Sequence, residues 1–336
     1  MMKKAISVIS ICWNSLKYFQ SSFQNLLKLE YSNLEYIIID NGSTDGTIEY
    51  IKEIIKSNPE NKITLIENGE NLGISIAKNK GANIATGEYL LLLDDDMLIE
   101  NPKFLDNLVK YYESLENPAF LMPLFLDKEE LKDGRTRSYG TYYYAFGVKT
   151  IQPRKSIQDI MKYEKPIEIA INQGGAMFIK KDIWDELGGF DESQKFNLDD
   201  DDISTRALVY GYKNYLYNKE YIVHLGLAKR LDKDRYAWND RTYYSGKAKS
   251  ITKNFSWYNL PWVWFMASGR MGAEALWHVA MKMYPKIGFA NLYSVFVYFR
   301  DLPGTFKKRR IIQKNRKRSD KYILKLRAPY YSKTEL

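Results

Sequence analysis

Sulfur chemistry is nearly absent from this chain. Among 336 residues there is one cysteine, Cys12, so an intrachain disulfide is excluded and a thiolate metal centre is not expected. Both points fit a reducing cytosol. Histidine is almost as scarce, with only His224 and His278. No G-x-G-x-x-G follows the first apolar run, which argues against a nicotinamide-dependent enzyme. There is no internal repeat and no low-complexity linker. The longest charge-free run in the C-terminal part is Asn254–Gly269. That falls short of the roughly 20 residues a spanning helix needs, and Asn259, Pro261 and Ser268 weaken it further. At the other end, Met1-Met2-Lys3-Lys4 is followed by a run, Ala5 to Ile11, too short and too polar at its end for a secretory signal; it reads as a first strand.

What is present alternates. Ala5–Ile11 is a β-branched run, Tyr18–Leu29 has helical spacing, and Leu34–Asp40 is a second, nearly all-apolar strand. Ser43, Thr44 and Asp45 are good helix-capping types before a helix over Asp45–Ile55. A short strand at Ile63–Glu67, a helix over Ile74–Ala85 and a strand at Glu88–Leu93 follow. Strands apolar on both faces and separated by helices predict a doubly wound, mostly parallel α/β sheet covered on both sides. Further on, Ser138–Val148 is rich in tyrosine and reads either as a hairpin near an acceptor or as packing. Short helices are expected at Asp182–Leu187, before Gly188-Gly189, and at Asp200–Tyr210, before Gly211. The expected division is a catalytic domain over 1–230 and a helical, aromatic and basic region over 231–336.

In open α/β sheets ligands bind at the carboxyl ends of the strands, and acids collect there. The second strand ends at Asp40-Asn41-Gly42-Ser43-Thr44-Asp45-Gly46. The fourth ends at Asp94-Asp95-Asp96, directly after four leucines. Adjacent carboxylates repel, and a buried strand is a poor place to hold them unless a cation neutralises them. Oxygen ligands suit Mg²⁺ or Mn²⁺, and a nearby lysine such as Lys78 would suit a diphosphate. The alternative is a solvated acidic loop. A second acidic run, Asp199-Asp200-Asp201-Asp202, opens a helix. Part of it can serve capping and the helix dipole, with Asp199 or Asp202 the first choices, but four acids exceed that need and one is a candidate general base. His224 ends the apolar run Tyr221-Ile222-Val223. A lone histidine is ordinarily structural, and His278 is read that way.

The net charge is +9 and is uneven. Lys307, Lys308, Arg309, Arg310, Lys314, Arg316, Lys317 and Arg318 form a basic cluster that follows Trp257, Trp262, Trp264 and Trp277. Amphipathic helices lying in a membrane interface, followed by a basic cluster drawn to anionic lipid, fit this pattern. An ordinary helical subdomain packed on the catalytic domain is the other reading. The membrane reading places the protein in the cytoplasm, peripheral on the inner face of the cell membrane. Nucleic acid is not an expected partner, because acids line the strand ends and the first hundred residues offer no basic face.

Taken in order, these motifs resemble the family 2 glycosyltransferases of GT-A fold, from the first strand to about residue 226. The matching pieces are Ile6-Ser7-Val8-Ile9 with Trp13-Asn14; Ile39-Asp40-Asn41-Gly42-Ser43-Thr44-Asp45-Gly46-Thr47; Asn71-Leu72-Gly73 with Ala77-Lys78-Asn79-Lys80-Gly81; and Leu93-Asp94-Asp95-Asp96, which looks like the DxD element. Further along, Gly174-Gly175-Ala176-Met177-Phe178-Ile179 and Gly188-Gly189-Phe190-Asp191-Glu192 resemble the acceptor-side block. Asp199-Asp200-x-Asp202-Ile203-x-x-Arg206 resembles the ED-x-D-L-x-x-R element. The proline and tyrosine usual in the opening loop are absent, lysine stands at 78 where arginine is commoner, and Asp199 stands where glutamate is usual. The last departure leaves the base assignment open by one position.

The resemblance implies that Asp40 and Asn41 hold the nucleotide base and that Ile11, Trp13, Asn71, Lys78 and Asp95 complete the donor site. Asp94 would touch the ribose or a metal, and Asp96 would bind the metal (Mn²⁺ or Mg²⁺), with His224 as a second ligand. Asp200 would be the catalytic base, with Gly174, Gly175, Asp199 and Asp202 on the acceptor side. The implied activity is inverting transfer of a sugar from a UDP- or dTDP-sugar to a hydroxyl of a glycan or lipid-linked acceptor, in surface polysaccharide or glycoconjugate synthesis. A metal-dependent nucleotidyltransferase is the first rival, but its Gly-rich, basic loop after the first strand is missing. An inactive nucleotide-sugar-binding relative is another. A homodimer is compatible with the sequence and encoded by no motif.

Overall fold

A computed structural model describes residues 3–127, 141–144, 149–151, 156–195, 198–226, 233–262, 264–265 and 285–326. His278, Trp277 and most of the 138–148 stretch lie outside these. The strands are β1 Ile6–Cys12, β2 Leu34–Asp40, β3 Lys62–Glu67, β4 Tyr89–Asp94, β5 Met97–Leu98, β6 Pro118–Asp127, β7 Tyr142–Tyr144, β8 Lys149–Ile151, β9 Ile167–Ile169, β10 Ala176–Lys180 and β11 Lys213–His224. The helices are α1 Leu16–Leu26, α2 Thr47–Ser57, α3 Ile74–Ile84, α4 Phe104–Glu113, α5 Ile157–Met161, α6 Lys181–Leu187, α7 Asp199–Val209, α8 Lys233–Asn254, α9 Pro285–Lys314 and α10 Asp320–Lys325.

The main sheet runs β3-β2-β1-β4-β10-β6-β11-β5, with β9 added against β11. The four strands β3, β2, β1 and β4 are parallel, as their unbroken apolar runs predict. From β1 the chain winds outward through β2 and β3, then crosses back to place β4 on the other side of β1. That reversal opens a crevice at the carboxyl ends of β1 and β4, the usual ligand position in such sheets. Beyond β4, β10 enters antiparallel.

Alternating side chains divide the core into two layers, as a strand's period of two requires. Ile6 and Val8 face α1, α2 and α4, while Ile9, Ile37 and Ile39 face α3, α6 and α7. Helix α1 buries Phe19, Ser22, Phe23 and Leu26, one stripe at helical spacing. Gly81 lets α3 sit close to the sheet, since a Cβ there would lie 2.6 Å from Ile9 Cγ2 and 2.8 Å from Ile39 Cδ1. Lys78 lies one turn earlier on the same face of α3.

Three element boundaries differ from the sequence reading. Helix α1 begins at Leu16, before the expected Tyr18, because Asp45 of a distant loop caps it: Leu16 N donates to Asp45 Oδ2 at 3.0 Å. The same carboxylate accepts from Thr47 N at 3.2 Å, so α2 starts at Thr47 and not at Asp45. The apolar run Tyr221-Ile222-Val223 is the end of a twelve-residue strand, β11, whose polar middle, Asn218-Lys219-Glu220, interrupts the pattern and shifts its register against β6.

Helix α7 is buried on nearly all sides, so something beyond the sheet must cover it. The C-terminal helices do so. Helix α8 packs on α7, and α9 lies along α8. The chain returns through Lys317 N, which donates to Val209 O at 2.8 Å, to α10, whose Ile323 is fully buried. At least part of 231–336 therefore packs on the sheet domain. Much of the basic cluster serves this packing. Arg309 is 2% exposed, donates to Phe255 O at 2.6 Å and stacks on Trp257; Lys308 pairs with Asp191, and Arg316 with Asp320.

One buried carboxylate ties the parallel strands together. Glu35 sits opposite Ser7 and Lys62 in the register. It accepts from Ser7 Oγ at 2.6 Å, from Thr86 N at 2.6 Å and from the Lys62 ammonium. Burial alone would raise its pKa, but the hydrogen bonds from Lys62, Ser7 and Thr86 outweigh it and hold the pKa at about 2. A carboxyl depressed on folding stabilises the native state above its unfolded pKa, about 4.3, and that contribution disappears as pH falls through the folded value. Urea titrations of wild type and Glu35→Gln should therefore differ most at neutral pH and converge as pH approaches 2. A gap that does not vary with pH would contradict this assignment.

Candidate active site

Register brings the predicted acids to one end of the sheet. Asp40 pairs with Cys12, Asp94 with Ile11, and Ala176 with Leu93. Adjacent strands are about 4.8 Å apart, so the ends of β1, β2 and β4 and the Gly174-Gly175 entry to β10 form one continuous rim. Asp94 N donates to Gly175 O at 2.9 Å, which closes the rim between β4 and β10.

At the β2 end, Asp40 is fully buried. Its Oδ1 accepts from Gly42 N at 2.8 Å and Ser43 N at 2.9 Å, fixing the turn, while its Oδ2 has no partner among the described residues. Leaving a buried carboxylate oxygen unpaired costs free energy that a ligand donor would recover. Asn41 is buried beside it and accepts from Asn68 Nδ2 at 2.8 Å. Asn71 Oδ1 accepts from Gly73 N at 3.0 Å, shaping the turn into α3. Asn14 adopts a left-handed φ of 50° and its Oδ1 accepts from Thr44 N at 2.8 Å, which locks the loop after β1 onto the loop after β2. Trp13 stands 44% exposed beside it.

At the β4 end the three aspartates diverge. Lys78, 1% exposed, donates to Asp94 Oδ1 and to Gly174 O, both at 2.9 Å. Burial would lower the Lys78 pKa, but the charges of Asp94 and Asp199, the Asp94 hydrogen bond and Asp200 outweigh it and the pKa is raised. Asp95 is half-buried; desolvation, with Asp96 and Asp94 adding repulsion, pushes its carboxyl up to about 8. Asp96 reaches across to β11, where its Oδ2 lies 3.0 Å from His224 Nε2. Gly226 presses against this pair: a Cβ there would lie 2.0 Å from Asp96 Oδ2.

The acidic run on α7 divides as well. Asp200 is half-buried, and its Oδ2 accepts from Gly174 N at 2.9 Å. Burial and mutual repulsion raise the pKa of the Asp199–Asp200 pair, while Lys78 opposes the rise at Asp199. Asp201 and Asp202 turn away. Asp201 takes Lys247 Nζ at 3.0 Å; Asp202 is fully buried and takes Arg206 at 2.5 Å and Lys253 at 2.9 Å. Burial would raise the Asp202 pKa, but Lys253 and Arg206 hold it below the usual range. Asp94, Lys78, Gly174, Asp199 and Asp200 are thus gathered at one point, with Asp96 and His224 joined through the same loop after β4. Sequence reasoning missed Gly226, Asn14, Lys247 and Lys253. Asn14 stood within a recognised motif, whereas nothing local marks the other three.

Among the described residues no three His, Cys, Asp or Glu side chains gather as a metal cage. The Asp96–His224 pair still fits a divalent ion of the Mg²⁺ or Mn²⁺ kind, which takes one or two protein ligands and completes its shell with substrate phosphates and water.

The glycosyl transferase family 2 profile matches residues 7–188, more than half of the chain. The chain belongs to glycosyltransferase family 2. It is 34% identical over 108 residues to an uncharacterised glycosyltransferase of Haemophilus influenzae, covering 32% of each protein. It is 27% identical over 162 residues to the glycosyltransferase GlyG of Streptococcus pneumoniae, covering 48% of this chain and 50% of the relative. These matches thus span half or less of the curated relatives' own length. Among solved structures, the mannosyltransferase PcManGT of Pyrobaculum calidifontis, in complex with GDP-Man and Mn²⁺, aligns over 93% of this chain and 86% of its own, with 17% identity and a TM-score of 0.56. At that identity the likeness establishes the GT-A fold.

Proposed function

We propose that this glycosyltransferase is inverting and metal-dependent, moving a hexosyl group from a UDP- or dTDP-sugar to a hydroxyl of a glycan or lipid-linked acceptor in cell-surface polysaccharide or glycoconjugate synthesis. The observation that carries this reading is the grip of Lys78 on both Asp94 and Gly174, which fixes the acid loop after β4 beside the segment that hydrogen-bonds Asp200. One charge-bearing rim therefore joins a phosphate side to a base side.

In this reading the unpartnered Asp40 Oδ2 takes an imide N–H from the nucleobase edge. Asp96 and His224 would hold the divalent ion, which would offset negative charge on the leaving diphosphate. Lys78 adds positive charge to the same side. Asp200 accepts the acceptor hydroxyl's proton as its oxygen attacks the anomeric carbon from the face opposite the diphosphate, so the configuration inverts. A thermal-shift panel of UDP, dTDP, GDP and CMP, each with and without Mn²⁺, tests the donor site. Stabilisation by UDP or dTDP only with metal is expected; stabilisation by none of them on folded protein would remove the reading.

The acceptor side rests on the C-terminal helices. No helix among the described residues is long and apolar enough to cross a membrane. One face of α9 nevertheless exposes Tyr293, Phe296 and Phe299, then continues through Lys307, Arg310 and Lys314. Trp257, Tyr258 and Phe265 are also exposed. Aromatic and basic side chains on one helical face suit an anionic bilayer surface, which supports a peripheral position on the inner face of the cell membrane. Replacing both Phe296 and Phe299 with Asp should reduce flotation with anionic liposomes several-fold while leaving the melting temperature nearly unchanged. Equal flotation of the two proteins would remove the membrane partner.

A further inference from the structure

We infer that Lys253 and Lys247 of α8 are positioning residues for Asp200, so that the C-terminal region completes the catalytic centre and is not only an anchor. The inference rests on Asp200 acting as the base.

The first turn of α7 carries four consecutive carboxylates, and Asp191 lies close by. Such a cluster is self-repelling unless cations are interleaved. Two sets of cations meet it. Lys78 stands in front, beside Asp94 and Gly174. Behind stand Lys247 on Asp201, Lys253 on both Asp191 and Asp202, Arg206 on Asp202, and Lys308 on Asp191. Lys253 is 1% exposed, and its neighbour Asn254 donates to Asp202 Oδ1 at 2.9 Å. The rear set therefore occupies Asp191, Asp201 and Asp202 and leaves Asp199 and Asp200 to the front.

The helix start is also under tension. Leu198, the residue before the run, has φ 62°, a left-handed conformation that is uncommon for leucine. Asp202 N donates back to Leu198 O at 3.0 Å. The side chains that pin this turn from outside the helix come from α8. Displacing the turn would carry Asp200 away from Gly174 N, with no direct contact to donor or acceptor being lost. Without Lys253, Asp202 would keep only Arg206 and Asp191 only Lys308, and losing a partner from a buried ion-pair network is unfavourable.

The test uses full-length protein, with the UDP- or dTDP-sugar picked out by the nucleotide panel and release of nucleoside diphosphate as the readout. Lys253→Met should lower kcat by about 10²-fold, the scale of a misplaced catalytic group. The donor KM and the Mn²⁺-dependent nucleotide shift should stay near wild type. Adding Asp202→Asn to Lys253→Met removes one of the two carboxylates that Lys253 held apart and should recover part of kcat, a coupling that simple loss of fold would not give. If Lys253→Met does not fold, Lys247→Met, which breaks the bridge to Asp201, carries the same expectation in milder form. Wild-type kcat in a folded lysine variant would overturn the inference, as would a fall in kcat matched by an equal loss of nucleotide binding. Wild-type protein that binds Mn²⁺-nucleotide but keeps full turnover as Asp200→Asn would instead overturn the assignment of the base.

Discussion

Asp200→Asn should reduce turnover by about 10²–10⁴-fold, the usual contribution of a general base, while Mn²⁺-dependent nucleotide binding persists. The amide keeps the size of the side chain and can still accept from Gly174 N, so the 2.9 Å contact that fixes the residue survives. Only the capacity to take a proton is lost. The pH profile offers a second check. Burial and the neighbouring Asp199 and Asp201 charges raise the Asp200 pKa. With Asp200 as the proposed base the deprotonated form would be the active one, so kcat/KM should rise with pH and reach its plateau later than an ordinary carboxylate would allow. Asp200→Asn should erase that limb along with the rate. Near-normal turnover in this variant would move the base elsewhere, with Asp199 the next residue to replace.

Asp96→Ala is expected to abolish the difference that Mn²⁺ makes to donor binding. Only two side chains, Asp96 and His224, form the proposed metal position, so removing the carboxylate leaves a single imidazole. Gly226→Ala should produce the same phenotype without deleting any ligand. A methyl 2.0 Å from Asp96 Oδ2 cannot be accommodated, and the carboxylate must leave His224 or the strand end must shift. Isothermal titration of UDP and dTDP with and without Mn²⁺ measures both variants. Unchanged metal-dependent affinity in Asp96→Ala would exclude the residue as a ligand, and unchanged affinity in Gly226→Ala would mean that the backbone beyond β11 yields readily.

The parallel half of the sheet was legible because its signals are local. Unbroken apolar runs in β1, β2 and β4 follow from burial on both faces, and acids at their carboxyl ends follow from where such sheets bind ligands. The rest depended on contacts between distant segments. Four aspartates in a row could not be sorted by sequence, because what separates Asp200 from Asp202 is the direction each faces and which lysine meets it. Lys247 and Lys253 lie in a polar helix that nothing local connects to residues 199–202. The basic cluster divides in a similar way: Arg309, Lys308 and Arg316 carry charge that a sequence assigns to the outside, yet they serve contacts within the protein. Lys307, Arg310 and Lys314, at helical spacing on one face, stay exposed.

The single cysteine has a practical consequence. Cys12 is fully buried beneath the rim, and burial, with Asp95 and Asp40 adding repulsion, pushes its thiol pKa well above the ordinary range. A protonated, enclosed thiol does not react with maleimides on a useful timescale while the protein stays folded. The native chain is therefore a blank background for labelling. Phe296→Cys would introduce one accessible thiol on the exposed face of α9, and a solvent-sensitive dye placed there would report, without any change to the catalytic residues, whether that face stays in water or enters a lipid phase.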